Sequence, residues 1–560
     1  MSKIKFIDGY PEYMRESIEK VEKTRDYRIK NRQKIYAELE MSLEEREEVL
    51  SENHPDYKKT GKRKLQVGPS KGELVPHEFA DIIESNPIIT SKDIDLNQID
   101  FDVDVLIIGG GGAGTVASLW ALYEGIKPEN MLMVTKLRHG DSNSMMAQGG
   151  IQAADSAKDS PSRHYLDVLG GGHFTNNPKL AHGLTYDAPL IIKWLEDLGV
   201  MFDREEDGSF QRLAGGGTSS NRMHSAKDYT GMELMRVLRD EFRNKEIPVQ
   251  EFMPAIELIK DEQGNCAGAV LMNMETNQYF VCRAKSVIAA TGGFGRLHIQ
   301  NFATTNHYGA TADGLVMAYH AGVPIVDMDS VQYHPTGAAF PQEIIGLLIT
   351  EKVRGMGAQP VNINGEAFVF PLEPRDVEAS ALIRECYVRN KGITTLTGFK
   401  GVWLDSPMVD MLEGEGAIER DLNAMYRMFK RFGIDMTKDP ILVFPTLHYQ
   451  NGGMQIDEHA ATPLKGLFAG GETEGGVHGK NRLMGNSLLD YNVYGRRAGI
   501  SAAKYALKAP KPKKLSLSHL DDYAKIIKDS KIETIRKAPI LLPDYRKEKV
   551  LNRMVDYNLY

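Results

Sequence analysis

Val103 to Ala117 reads VDVLIIGGGGAGTVA. A short apolar run, Val103 to Ile108, enters a glycine turn in which Gly109, Gly111 and Gly114 fit the spacing G-x-G-x-x-G. Ala117 to Tyr123 continue as an apolar helix. Strand, glycine turn and helix in that order make a dinucleotide-binding unit: the glycines allow a tight turn, approach of backbone to a pyrophosphate, and close packing of helix on strand. A second strand, Met131 to Val134, ends at Thr135 and Lys136, where the ribose of a dinucleotide is expected. A purely structural glycine turn is the competing reading, and the strand–helix context disfavours it.

The matching partner is Gly466 to Gly499, GLFAGGETEGGVHGKNRLMGNSLLDYNVYGRRAG. It reads as a strand ending in glycines, a polar turn and a helix. Gly470 and Gly471 let backbone approach a ligand, and Glu472 follows at the carboxyl end of the strand. Val477 to Arg482 set a histidine, an amide and a cation on one loop, and Asn486-Ser487-Leu488 offer free N–H groups at a helix start.

Composition bounds the class. The chain has 560 residues, 42% hydrophobic and 26% charged, with a net charge of −8. This is long enough for several domains, and mild acidity without a large basic block argues against nucleic acid as the main ligand. No apolar run approaches a membrane span, and the start, MSKIKFIDGYPEY, has no signal core. The three cysteines, Cys266, Cys282 and Cys386, are widely spaced, so no metal or iron–sulfur site is expected from them. The chain reads as cytoplasmic, with any membrane association made through partner subunits.

Residues 1–100 differ from the rest. Tyr10 to Leu39 reads as one long charged helix, and Ser42-Leu43-Glu44-Glu45 is a capping box that starts a second helix to about Leu50. Asn53 to Gly72 reads as a basic arm or linker. The expectation is an interaction arm rather than a solvated appendage. From Phe101 strands alternate with helices, which indicates an α/β fold. Val287 to Gly295 is another strand ending in glycines, Gly314 to His320 reads as helix and Val323 to Met328 as strand. About Gln332 to Phe444 reads as an inserted cap, and residues after Lys504 as a helical tail.

With these pieces in order, Phe101 to Ala503 resembles the flavoprotein subunit of succinate dehydrogenase and fumarate reductase, a family that also includes L-aspartate oxidase. The motifs that carry the resemblance are the glycine turn, Ala147-Gln148-Gly149-Gly150-Ile151, Ala290-Thr291-Gly292-Gly293, His334-Pro335-Thr336-Gly337, His448-Tyr449 with Gly452-Gly453, and Gly470 to Leu488. It implies a Rossmann-like FAD-binding domain (101–331 and 446–505) with an inserted α+β capping domain (332–445). A helical N-terminal extension (1–100) and a short helical C-terminal tail (506–560) complete the chain. For FAD it implies contacts from Gly109, Gly111, Gly114, Thr135, Lys136, Ser142, Asn143, Ala147, Gln148, Gly149 and Gly150. Asp313, Glu472, Ser487 and Leu488 join them. Asp313 also suits a turn before a helix.

Reducing fumarate needs hydride from flavin N5 to one alkene carbon and a proton to the other, with both carboxylates held. His334, Thr350, His448 and Arg482 look like the family's carboxylate-holding set, Arg482 with the planar fork that grips a carboxylate. Arg375 matches the family's proton donor. An arginine is a poor acid, with a pKa above about 12, so its proton must be refilled at once. Glu351 and Arg354 resemble that relay. Met356 stands where many relatives have a second glutamate, and the loop Phe370 to Arg375 looks shortened.

The largest departure is Asn143, which stands where the respiratory enzymes carry the histidine bonded to FAD; an amide cannot form that bond, so noncovalent FAD is expected. His139, nearby on the same loop, is not expected to substitute. Loss of the link tilts the balance towards reduction, or towards a different oxidant. The leading expectation is a fumarate reductase/succinate dehydrogenase-type enzyme on a C4 dicarboxylate (fumarate or succinate), exchanging electrons with an iron–sulfur partner subunit. The N-terminal arm is expected to dock that subunit or to wrap the flavin domain so that it can sit near FAD. The alternatives are L-aspartate oxidase and a flavin electron-relay subunit.

Overall fold

The computed structural model of the chain describes residues 5–543; the remainder of the expected tail, 544–560, lies outside the described residues. At the centre lies a sheet whose parallel strands run in the order Val249–Gln250, Met131–Val134, Phe101–Ile108, Tyr279–Ala289 and Leu467–Ala469. Val105 to Ile108 are buried without alternation, as expected where helices cover both faces of a parallel sheet. The first half of Tyr279–Ala289 turns to an antiparallel partner, Cys266–Met272, and then Ala255–Asp261. Helices Gly112–Tyr123 and Asn486–Ala506 pack on one another over this sheet. They touch at glycines: a Cβ on Gly499 would lie 2.3 Å from the Ala117 carbonyl oxygen.

The cap is built on a second sheet. Val331–Ala338 pairs antiparallel with Ile441–Gln450, which pairs with Lys400–Leu404, and Pro360–Val361 completes that order. The first two strands carry the chain into and out of the cap, setting His334 and His448 side by side with ring centroids 5.0 Å apart. The expected strand at Val323 to Met328 is confined to Ile325–Val326.

The N-terminal hundred residues depart from expectation. The single helix over Tyr10 to Leu39 is two helices, Glu12–Lys30 and Arg32–Leu39, broken at Asn31. The capping box forms as expected: Ser42 Oγ accepts from Glu45 N and Glu45 Oε2 accepts from Ser42 N, starting helix Leu43–Asn53. Asn53 to Gly72 is no free linker: Lys62–Lys64 pairs with Leu74–Pro76, and Leu65 and Val67 are buried.

The apolar face of the first helix, Met14, Ile18 and Val21, is buried within the chain's own core. Trp403 of the cap donates Nε1–H to Ser17, and Arg25 and Arg28 both grip the buried cap carboxylate Asp405. Further on, Ser70 Oγ donates to the Ile325 carbonyl and Tyr319 Oη to the Val67 carbonyl, fastening the segment to the flavin-domain side. The extension is a belt across both parts, with its apolar residues turned inward.

After Ala506 the chain adds helix Ser518–Asp529 and two short strands, Leu515–Ser516 on the main sheet and Lys537–Ala538 beside Asn86–Pro87. Among the described residues no helix is long and apolar enough to cross a membrane.

Candidate active site

A cavity of about 490 Å³ opens where the carboxyl ends of the parallel strands meet the cap, the place where open α/β sheets bind ligands. Gly109, Gly111, Thr135, Lys136, Ser142, Asn143, Ala147 to Gly150, Asp313, Glu472, Ser487 and Leu488 all line it. Gly114 does not: a Cβ there would lie 1.9 Å from the Gly109 carbonyl oxygen, so it is the residue that seats helix on strand. Gly111 precedes the first turn of helix Gly112–Tyr123, and Gly111, Gly112 and Ala113 line the cavity at this helix start, the kind of place where anions bind.

Lys136 Nζ donates to Thr311 Oγ1 and to the Leu541 carbonyl and is paired with Asp313, so Lys136 and Asp313 are engaged with each other at the expected ribose end. Glu472 accepts from Gln450 N (3.1 Å) and from Asn143 Nδ2 (3.1 Å), and burial pushes its carboxyl up to about 7. Gln148 Oε1, at the cavity wall, is buried and has no protein partner, as befits a group that meets a bound polar molecule. These features fit FAD.

Asn143 is held on three sides. Its Nδ2 also donates to Asn306 Oδ1 (2.8 Å), and its Oδ1 accepts from His307 N (2.6 Å). His139 is buried, 3.0 Å from Thr115 Oγ1, and burial together with Arg239 and Arg243 lowers its pKa to about 4. It does not line the cavity, and it is packed rather than free on its loop.

The cap end of the cavity is cationic. His334, Thr350, Glu351, Arg375, His448 and Arg482 converge there. Arg375 begins helix Arg375–Ile383 after Pro374, which suits a first helical turn and stops the preceding loop. Its Nη1 donates to Gln332 Oε1 at 3.0 Å, and Arg482 Nη2 donates to the same oxygen at 2.9 Å. Arg375 Nε donates to Glu351 Oε2 (2.9 Å), whose other oxygen accepts from Gly216 N (2.7 Å). Arg354 lies outside the cavity, buried behind Glu351 at 3.5 Å, and also pairs with Glu378. Arg482 rests over the Tyr449 ring, 4.4 Å from its centre.

Electrostatics follow from this crowding. Burial opposes the charge of Glu351, yet Arg375 and Arg354 outweigh it and hold the carboxyl below its usual range. Burial and Arg375 push Arg482 down to about 9, and burial lowers Arg375 as well. His334 and His448 fall well below the usual range through burial and the nearby Arg375, so both rings are neutral. His448 Nδ1 lies 2.8 Å from Thr305 Oγ1. Two guanidinium groups, neutral imidazoles and a hydroxyl make a receptor for a small dianion.

Sequence reasoning missed Gln332 and Glu378. Gln332 lies two residues before His334 on one strand, where the alternation of side chains offers a signal. Glu378 stands one helical turn after Arg375, a spacing that puts both on one side of a helix.

The fold and this cavity define an FAD-dependent oxidoreductase. Residues 104–488 match the family model described as FAD binding domain. A fumarate reductase (CoM/CoB) chain of Methanothermobacter marburgensis is 39% identical over 73% of this chain and 74% of that one. L-aspartate oxidase of Clostridium acetobutylicum is 33% identical over 81% of this chain and 100% of that one. A solved structure of E. coli quinol fumarate reductase FrdA superposes with a TM-score of 0.68 at 31% identity, covering 77% of this chain and 74% of that one. The chain belongs to the fumarate reductase/succinate dehydrogenase flavoprotein family, of which L-aspartate oxidase is a related branch.

Proposed function

We propose that the protein reduces fumarate or a close C4 enedioate, with FAD bound noncovalently and electrons supplied by an iron–sulfur partner subunit. The observation that carries this reading is the shared acceptor: Gln332 Oε1 holds Arg375 and Arg482 side by side at the cavity wall. When bound, FAD supplies the hydride. Arg482, His448, His334 and Thr350 hold the two substrate carboxylates, and the neutral imidazoles donate hydrogen bonds without adding charge. Arg375 delivers the proton to the second carbon, and Glu351 and Arg354 return it. The cap at 332–445 excludes water from this step.

The first test is steady-state oxidation of reduced viologen by the purified protein with fumarate and a panel of enoates. Activity on fumarate that falls by orders of magnitude in Arg375→Lys, with the flavin spectrum intact, supports the reading. Near-normal turnover in that variant removes Arg375 from the role.

L-aspartate oxidation is the second reading, favoured by the relative matched along its whole length. Peroxide formation that depends on aspartate and exceeds fumarate turnover would reverse the order.

A further inference from the structure

We propose that Glu378 is the acid that resupplies the Arg375 proton relay, a positioning and proton-supplying residue acting through Arg354. The proposal rests on the reading of Arg375 as proton donor.

The geometry is a row of alternating guanidinium and carboxyl groups. Arg375 Nε donates to Glu351 Oε2 at 2.9 Å, Arg354 Nη2 stands 3.5 Å from that same oxygen, and Arg354 Nη1 is bonded to Glu378 Oε2. Arg354 therefore sits between two carboxyl groups. Met356, two residues on, brings only a thioether to this region. Glu378 comes from the helix that Arg375 begins, so helix geometry ties the two ends of the row together.

Glu378 is fully buried, and its Oε1 is buried with no protein partner. A carboxylate in that position is costly, and a carboxyl group is less so. Burial favours its proton, the charges of Glu351 and Glu373 add to that effect, and Arg354 and Arg375 oppose it; the balance lies well above the usual carboxyl range. The row thus ends in a stored proton. Beyond it, Glu373 is paired with Arg46 of the N-terminal belt, whose side chain is 28% exposed. Solvent lies on that side.

The step balances as one proton moved. Arg375 gives its proton to the substrate carbon while the hydride pair reaches the other carbon. Glu351 takes a proton from Arg354 and hands it to Arg375, and Arg354 takes one from Glu378. Glu378 is left as a carboxylate and regains its proton from water on the Arg46 side. No oxidant or reductant beyond the proposed reaction is needed.

Glu378→Gln tests this, because the amide keeps the size and an acceptor oxygen for Arg354 but carries no carboxyl proton. In FAD-loaded full-length protein, steady-state kcat for fumarate-driven oxidation of reduced viologen should fall on the order of 100-fold, with KM for fumarate within about twofold of wild type. The solvent deuterium effect should rise, and added formic acid should restore part of the rate. Glu378→Asp should recover part of it as well, and it carries the test if the Gln variant loses its flavin absorbance. A Gln variant with wild-type rate and isotope effect, or a defect in KM alone, overturns the proposal. If the wild-type protein is not oxidised by fumarate at all, the reaction itself has been misread, and the proposal goes with it.

Discussion

The side-chain amide of Asn143 donates to the buried Glu472 carboxylate across 3.1 Å, while its carbonyl oxygen is taken by the His307 N–H. Asn143 is thus a hydrogen-bonding post, tied into the wall. Acid precipitation should leave the yellow colour in the supernatant. Fluorescence that stays with the denatured chain on a gel would mean that another side chain forms the bond.

Gln332 offers one oxygen to two guanidinium groups. In Gln332→Leu both lose that acceptor and gain nothing, so kcat/KM on fumarate should fall roughly ten- to hundred-fold, about 1–3 kcal/mol. Glu at the same position should bind fumarate more weakly still, because its charge competes with the substrate for Arg375 and Arg482. A Leu variant with unchanged kcat/KM would show that the arginines are held by other means.

The pH profile has a defined sign. His334 and His448 are held neutral by burial and Arg375, so log kcat/KM should show no histidine limb between roughly pH 6 and 8, and an inflection near pH 7 belongs to Glu472, pushed up to about 7 by burial. Arg482, pushed down to about 9 by burial and Arg375, gives up its proton above that pH, and substrate affinity should be lost there. An acid limb near pH 6.5 that disappears in His448→Gln would contradict the electrostatic account.

The belt should matter for stability. Arg28 Nη2 meets the buried Asp405 Oδ2 at 2.6 Å, and breaking one side of a buried ion pair costs on the order of 3 kcal/mol. Arg25 keeps part of that charge compensated, so Arg28→Met should lower the thermal midpoint without unfolding the protein at room temperature. Deleting residues 1–70 should cost the flavin or solubility. A truncated protein with normal melting and flavin content would count against this bracing role and for the docking one.

Much of the flavin side was legible because its signals are local. The strand at Met131–Val134, the turn at Gly109 to Gly114 and the capping box at Ser42 are each written within a few residues. The N-terminal extension was harder. Its charged helical pattern runs on through Asn31, whereas the break comes from what the two halves touch: Arg28 reaches Asp405, and the Tyr36 ring meets Phe370, 5.3 Å away. The pairing of Arg354 with Glu378 was equally hidden. The two are 24 residues apart, and only the folding of the segment between them brings the side chains together.

The belt has a kinetic consequence. It is fastened to the cap at Asp405 and Trp403 and to the flavin side at Ile325 and Tyr319. The belt thus tethers the cap to the flavin side, and a wide opening of the cap would break those bonds. Tight enclosure of the reacting carbons and rapid exchange of dicarboxylate are then opposing demands set by the same ribbon of chain, and loosening the belt trades the first for the second.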